Sequence, residues 1–415
     1  MIVGIDFGTS NSVCAVRLKN GEIRKVILEP GSSLPYLLPS YWYFLDADSA
    51  PIVGQKARAA FIENSFDGRF IVSLKSHFSN LQLRSINIYG KMVSLERIAS
   101  FVLKKIKNAV EEQFGEIKVV HAGRPVVLSE DSTIDKQIED RLREAYKLAG
   151  LPDPMFVAEP VAAAFEYKRR LKESEVVFIA DFGGGTLDYC LAKLEPTNSL
   201  GKDIILGTSG IRIGGDDFTG ALMKLFWDYF GFSSHVRDFS KTKWMSFPIG
   251  IFHELSSWRN IWRLERAKTD IEACIKWGSS DPEALKRLIA LLDPECYFEF
   301  FEQLEKLKIG LSNNERSHIR YIRRPIEIDE EIDRLNFEMV TTEMILKAKN
   351  RLLSVFNGTD LQPNDVNSVF LTGGSSQMPN FKRVVEEIFG KEKIRSGDAF
   401  TSVAEGLAFY EQKYS

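Results

Sequence analysis

The stretch that most limits what this chain can become is Ile179 to Cys190, IADFGGGTLDYC, with its echo near the start, Val3 to Cys14, VGIDFGTSNSVC. In each copy a short β-prone run delivers an aspartate, Asp6 or Asp181. Phe-Gly follows, then small hydroxyl or glycine residues, then a second β-prone run. The pattern predicts two hairpins whose turns are the size of a phosphate. Without Cβ atoms, Gly183, Gly184 and Gly185 reach backbone conformations in which several N–H groups converge on an anion. Thr9, Ser10, Asn11 and Thr186 add side-chain donors. An aspartate at each strand end can hold a hard cation, which offsets repulsion between carboxylate and phosphate.

One such turn could be no more than a tight connection between two buried strands. Two copies, separated by far more than a solenoid period, indicate instead a duplication of whole domains. Two domains facing each other would clamp a phosphate chain between their turns. The 415 residues suffice for two to three domains, each burying its own core.

A net charge of −3 leaves no electrostatic footprint for nucleic acid. The four cysteines, Cys14, Cys190, Cys274 and Cys296, form no CxxC pair, and two fall in the hairpin strands. Buried free thiols in a reducing compartment are expected. A strand starting at Ile2 leaves no room for a signal sequence, and no apolar run is long enough to span a bilayer. The expectation is a soluble cytoplasmic protein with no membrane or nucleic-acid partner.

In chain order, Asn20-Gly21 predicts a hairpin between Ser12–Leu18 and Glu22–Leu28. Gln55 to Glu63 reads as a short helix. Phe70 to Lys75 follows, and pattern alone gives Lys75 no role, since a lone lysine is usually a solvated surface charge. Ser94 to Phe114 is the clearest amphipathic helix, with Ser94 as cap and Gly115 past the end. Val119 to Ala122 reads as a strand entering Gly123-Arg124-Pro125, and Asp135 to Leu148 as a helix. Phe156 to Ala164 reads as a strand, then Glu159, then Pro160 at a helix start. Its three alanines predict a helix lying close on another backbone, and Glu159 there could simply complement the helix dipole.

After the second hairpin, Ile204 to Thr208 reads as a strand, and Gly214-Gly215-Asp216 opens a helix whose N-terminus suits an anion. The segment from Trp227 to Leu304 reads as helical, with Trp244, Trp258, Trp262 and Trp277 expected in its core. Ser317 to Glu327 is expected as a strand and Thr342 to Phe356 as a helix capped by Thr341 or Thr342. Val366 to Thr372 is a buried strand running into Gly373-Gly374-Ser375, followed by a Pro379-led helix to Phe389. Ser402 to Tyr414 is expected to close the chain as a helix.

Together, IDFGTSNSVCAV, AEPVAAA, DFGGGTLD, IGGDDF and LTGGSSQMP resemble the nucleotide-binding domain of Hsp70 chaperones, in the actin-like ATPase superfamily, across nearly the whole chain. The resemblance implies an α/β fold of duplicated mixed sheets with flanking helices, of ribonuclease H type, whose two lobes enclose ATP or ADP with Mg²⁺. It implies lobe I over 1–171, lobe II over 172–392 with a helical subdomain around 216–330, and a C-terminal helix, 393–415, returning to lobe I.

Residue by residue, Asp6 and Asp181 match the magnesium-side carboxylates, and Gly8, Thr9, Ser10 and Asn11 the first phosphate loop. Gly183, Gly184, Gly185 and Thr186 match the second loop, closed by Asp188. Glu159 matches the acid that positions metal and water, and Lys75 the lysine facing the γ-phosphate. Lys75, Glu159, Asp181 and Asp188 are thus the implied catalytic set. Gly214, Gly215 and Asp216 match another nucleotide-side turn. Gly373, Gly374, Ser375 and Met378 match the adenosine-side turn, and Glu305, Lys308 and Ser312 the adenosine helix, on one helical face.

The sequence also departs from the pattern. Gln377 stands where the chaperones carry an arginine, Ile309 replaces a basic residue, and Arg124 alters the lead-in to Pro125. The final helix runs out at Ser415 with no apolar linker or peptide-binding β-sandwich. The implied function is a slow Mg²⁺-dependent ATPase acting as a chaperone-like switch on an unidentified protein partner. The alternatives are a nucleotide-dependent actin-like polymer and a small-molecule kinase of the same superfamily.

Overall fold

The computed structural model describes residues 1–65, 67–129, 131–197, 199, 201–257, 267–398 and 400–410. They fall into two compact units, Met1–Gly215 with Lys347–Ser415, and Asp216–Leu346.

The two sheets at the centre of the larger unit repeat one plan. In the first, Ile2–Phe7, Asn11–Arg17 and Ile23–Lys25 form an antiparallel meander, and Ile2–Phe7 also runs parallel to Val119–Arg124, itself parallel to Met155–Ala158. In the second, Glu175–Phe182, Leu187–Leu194 and Ile204–Ile211 form the meander, and Ser368–Thr372 and Ile394–Ser396 the parallel side. The outer parallel pair of each sheet is linked by a helix, Ser132–Leu148 in one and Pro379–Phe389 in the other. Such a crossover is what parallel strands require. The duplication read from two short motifs is therefore a duplication of topology.

Periodicity becomes burial as expected. The helix Leu95–Phe114 presents Leu95, Ile98, Ala99, Val102, Ile106 and Val110, all at 0% exposure, to a core shared with Ile5, Cys14 and Val16. Each large aliphatic side chain so buried contributes ~1.5–3 kcal/mol. The Ser94 hydroxyl accepts from the Arg97 N–H at 3.2 Å, and Gly115 ends the helix at φ +88°. Cys14 and Cys190 are buried, and all four cysteines are free thiols. The helix Glu159–Lys168, with Pro160 in its first turn, lies backbone to backbone on the helix Ser402–Phe409. A Cβ on Gly406 would sit 1.8 Å from the Ala162 carbonyl oxygen, and Ala162, Ala163 and Ala164 are fully buried there.

The smaller unit contains the helices Ala267–Trp277, Pro282–Leu291 and Pro294–Asn313 with the hairpins His235–Arg237/Trp244–Ser246 and Arg316–Arg323/Ile326–Asp333. Among the described residues its buried aromatic side chains are mainly phenylalanines, with Trp227 packed against Phe232 and Phe252. Phe226 and Phe230 meet Phe300 edge-on at 5.6 and 5.7 Å, with Phe218 and Phe252 also buried. Trp244 is 49% exposed under the Arg237 guanidinium, and Trp277 is only partly buried. Trp258 and Trp262 lie outside the described residues.

Other expectations need correction. The stretch after Arg316 is a full hairpin, not one strand, turning at Arg324-Pro325. The following helix starts at Arg334, so Thr341 and Thr342 sit inside it, their hydroxyls bonded to the Phe337 and Glu338 carbonyls. The last helix ends at Phe409, and 411–415 lie outside the described residues. Among the described residues no helix is long and apolar enough to cross a membrane.

Candidate phosphate and metal site

In the larger unit the two hairpin turns meet. A Cβ on Gly185 would fall 2.4 Å from Thr9 Oγ1, so the second turn comes this close to the first only as glycine. Around them the structure gathers other predicted turns. The Gly215 N–H donates to the Gly183 carbonyl at 3.0 Å, and the Ser375 hydroxyl to the same oxygen at 3.1 Å. A Cβ on Gly214 would strike the Gly184–Gly185 peptide at 2.2–2.3 Å, and one on Gly373, at φ +80°, the Phe182 carbonyl at 2.2 Å. Gly374 packs by Phe400, and Met378 is buried just before the helix Pro379–Phe389.

The first turn has a brace that sequence patterning missed. Ser40, buried beside the short strand Leu38–Pro39, donates its hydroxyl to the Gly8 carbonyl and its N–H to the Ser10 carbonyl, both at 2.9 Å. Gly8 is itself required, because a Cβ there would lie 2.2 Å from the Asn11 carbonyl oxygen.

Lys75 is buried, contrary to the ordinary behaviour of a lone lysine. Arg69–Val72 delivers it into a short 3₁₀ turn anchored by Leu74 and Phe78, and its Nζ lies 2.7 Å from Glu159 Oε1. Burial opposes the lysine charge, but Glu159, Asp6 and Asp188 outweigh that and hold its pKa above the usual value. Glu159 occupies the first turn of its helix, against Gly123.

The remaining acids are crowded. Asp6, half-buried at the end of its strand, has its pKa pushed up to about 7, by burial first and then by the Glu159 charge, with Lys75 relieving part. Burial, then Glu159, Asp6 and Asp188, hold Asp181 well above the carboxylate range. Asp188, opposite Asp181 in the hairpin, is also pushed up to about 7 by burial and Glu159, opposed by hydrogen bonds from the Val126 N–H and Thr186. That Val126 N–H reaches Asp188 Oδ1 at 2.8 Å from a turn fastened by Arg124, whose guanidinium pairs with Asp135 at 2.6 Å and Glu139 at 2.8 Å.

Four carboxylates thus crowd one lysine, and their mutual repulsion favours protonation or a cation. Hard oxygen donors under that strain fit a divalent cation. Among the described residues no three acid, histidine or cysteine donors converge as a ready-made cage. Mg²⁺ needs none, since it is commonly held by one or two carboxylates with water and phosphate oxygens.

In the smaller unit, Lys308 donates to Glu305 Oε2 at 2.8 Å, and the buried Thr219 hydroxyl donates to the same oxygen. The Ser312 hydroxyl bonds the Lys308 carbonyl at 2.9 Å. Asp216 lies in the first turn of the helix Gly215–Leu222. Back in the larger unit, the Gln377 amide oxygen accepts from Lys382 Nζ at 2.8 Å.

A family model described as Hsp70 protein matches residues 2–246 and 289–412. The chaperone protein DnaK of Metamycoplasma hominis is 26% identical over 416 residues, and that of Deinococcus radiodurans 25% over 433 residues. Each alignment covers 98% of this chain but 58% of the relative, so the chain spans a little over half the length of the chaperones it matches.

Proposed function

Because this chain belongs to the Hsp70 family, we propose that it binds ATP and hydrolyses it slowly, as a chaperone-type nucleotide switch working with a protein partner in the cytoplasm. The observation that carries this reading is the convergence of both Gly-rich turns with Asp6, Asp181, Asp188 and the Lys75–Glu159 pair in one unit.

Phosphoryl transfer to water needs positioning and charge neutralisation more than covalent help. In this reading, backbone N–H groups of Gly8 to Ser10 and Gly183 to Thr186 bind the phosphate oxygens. Lys75 places its ammonium against the terminal phosphate, giving up part of its bond to Glu159. Asp6 and Asp181 would hold Mg²⁺, which supplies charge neutralisation when bound. Glu159, Asp181 and Asp188 orient the attacking water and take its proton. On the nucleoside side, the larger unit would offer Gly373 to Ser375 and Met378; Glu305, Lys308 and Ser312, in the smaller unit, are the residues that would contact ribose and base by family resemblance.

Calorimetric titration with ATP and ADP in Mg²⁺, alongside phosphate release, tests the proposal. The intact protein is expected to bind both nucleotides and release phosphate slowly, and Asp181→Ala to lose release. Failure of the folded wild-type protein to bind either nucleotide would sink the reading.

A further inference from the structure

Ser40 sits where two parts of the proposed ATP site are joined. The residue before it, Pro39, pairs with Asn11 on the strand that leaves the first phosphate turn. The residue after it, Tyr41, pairs with Val72 on the strand that leads to Lys75. The joint itself is buried and holds the turn twice, through its hydroxyl on the Gly8 carbonyl and its N–H on the Ser10 carbonyl, both at 2.9 Å. One residue therefore ties the first turn to the strand pair that carries the site's lysine.

The hydroxyl bond has a directional consequence. In a trans peptide the C=O and N–H point opposite ways, and the only cis bond among the described residues is Arg324-Pro325. Fixing the Gly8 carbonyl on Ser40 therefore turns the Thr9 N–H away from Ser40. Thr9 is also where the two turns meet, since a Cβ on Gly185 would fall 2.4 Å from its Oγ1. Gly8 cannot supply this order itself, because glycine has the widest choice of backbone angles and a released Gly8–Thr9 peptide is free to rotate. Resting on the ATP-site reading above, we propose that Ser40 is a positioning residue for phosphoryl transfer, whose hydroxyl fixes the Thr9 N–H and the Lys75 ammonium in one frame around the terminal phosphate. It touches no reacting atom and gives up no proton. Its work is orientation, from which such reactions draw much of their rate.

The test compares wild type with Ser40→Ala, which removes the hydroxyl and keeps the N–H, and Ser40→Thr, which keeps both. Val102→Ala serves as a variant that loosens the core under the same sheet, away from the turn. Stability is read by urea unfolding, ADP binding by calorimetry in Mg²⁺, and phosphate release from ATP in single turnovers. Ser40→Ala is expected to release phosphate about tenfold more slowly, the worth of one orienting hydrogen bond, with ADP affinity within about threefold of wild type. Ser40→Thr should stay within about threefold of the wild-type rate, and Val102→Ala should lose stability at an unchanged rate. A wild-type rate in Ser40→Ala would overturn the proposal. So would an equal slowing in Val102→Ala, which would mean general loosening, or a Ser40→Thr variant as slow as Ser40→Ala. Wild type that binds no nucleotide or releases no phosphate would overturn the ATP reading itself, and this inference with it, and is told apart by the wild-type measurements alone.

Discussion

The two hairpins share a plan and differ at the position that faces the aspartate. Asp6 faces Val13 across the first, whereas Asp181 faces Asp188 across the second. Val13 is buried among Ala15, Ala404 and Ala408, so the first half spends that position on packing against the terminal helix. Asp188 is buried in hydrogen bonds at the acid cluster. Both halves therefore keep an aspartate and a glycine-bearing turn, which in the proposed reading grip a phosphate. At the position facing the aspartate the second has an acid, which in that reading would steer water. The turns are also held differently, the first by a serine between two neighbouring strands and the second by turns from its own half.

The most severe way to break this asymmetry is to impose the second hairpin's acid on the first. Val13→Asp would bury a carboxylate among alanines, and its cost, above ~4 kcal/mol, should leave little folded protein by circular dichroism. Asp188→Asn keeps the shape and the acceptor for Val126 but removes the charge. Single-turnover phosphate release is expected to fall ~10²–10³-fold, about 3–4 kcal/mol of barrier, with nucleotide affinity held within a few-fold. A rate near wild type would place the water-orienting role on Glu159 or Asp181 alone.

Glycines at matching turn positions should respond unequally. Gly8→Ala meets the Asn11 carbonyl and forces backbone movement, costing ~2–3 kcal/mol, whereas at Gly183 the nearest atom to a new Cβ is 3.7 Å away and little change is expected. Urea unfolding of both variants checks this. Equal losses would mean that the turns are braced alike.

The smallest effect is on pH. Without nucleotide or Mg²⁺, Asp6 and Asp188 have folded pKa values near 7 against 3.8 in a free side chain. Between these values the folded state holds more protons than the unfolded one. Their contribution to stability is therefore greatest below pH 3.8, falls as pH rises towards 7, and is flat above. Relative to Asp6→Asn, the wild-type protein should lose stability across that window, read from urea midpoints at several pH values. Parallel curves would deny the crowding of these acids.

Much of this was legible in the sequence, because local patterns report local physics. Alternation and glycines gave both hairpins. Ser94, Gly115 and an apolar stripe bounded one helix, and three alanines announced the contact with Gly406. Ser40 was invisible, since its role rests on carbonyls thirty-odd residues away and serine has no pattern of its own. Thr341 and Thr342 looked like caps because hydroxyls serve caps and helix interiors alike, and only the hairpin turn at Pro325 moved the helix start back to Arg334. Trp244 and Trp277 misled for a related reason. Composition counts aromatic bulk but does not say that phenylalanine fills this core while Trp244 lies on a surface hairpin under Arg237. Lys75 is the converse case, a residue without a pattern that the fold buries beside Glu159.

The central claim is that both turns close on one phosphate chain, and backbone hydrogen exchange tests it most directly. The N–H groups of Thr9 to Asn11 and of Gly183 to Thr186 would be followed with and without ATP and Mg²⁺. The account predicts that both sets slow together on adding nucleotide, more with ATP than with ADP. Protection of one turn alone, or of neither while nucleotide is demonstrably bound, would contradict it.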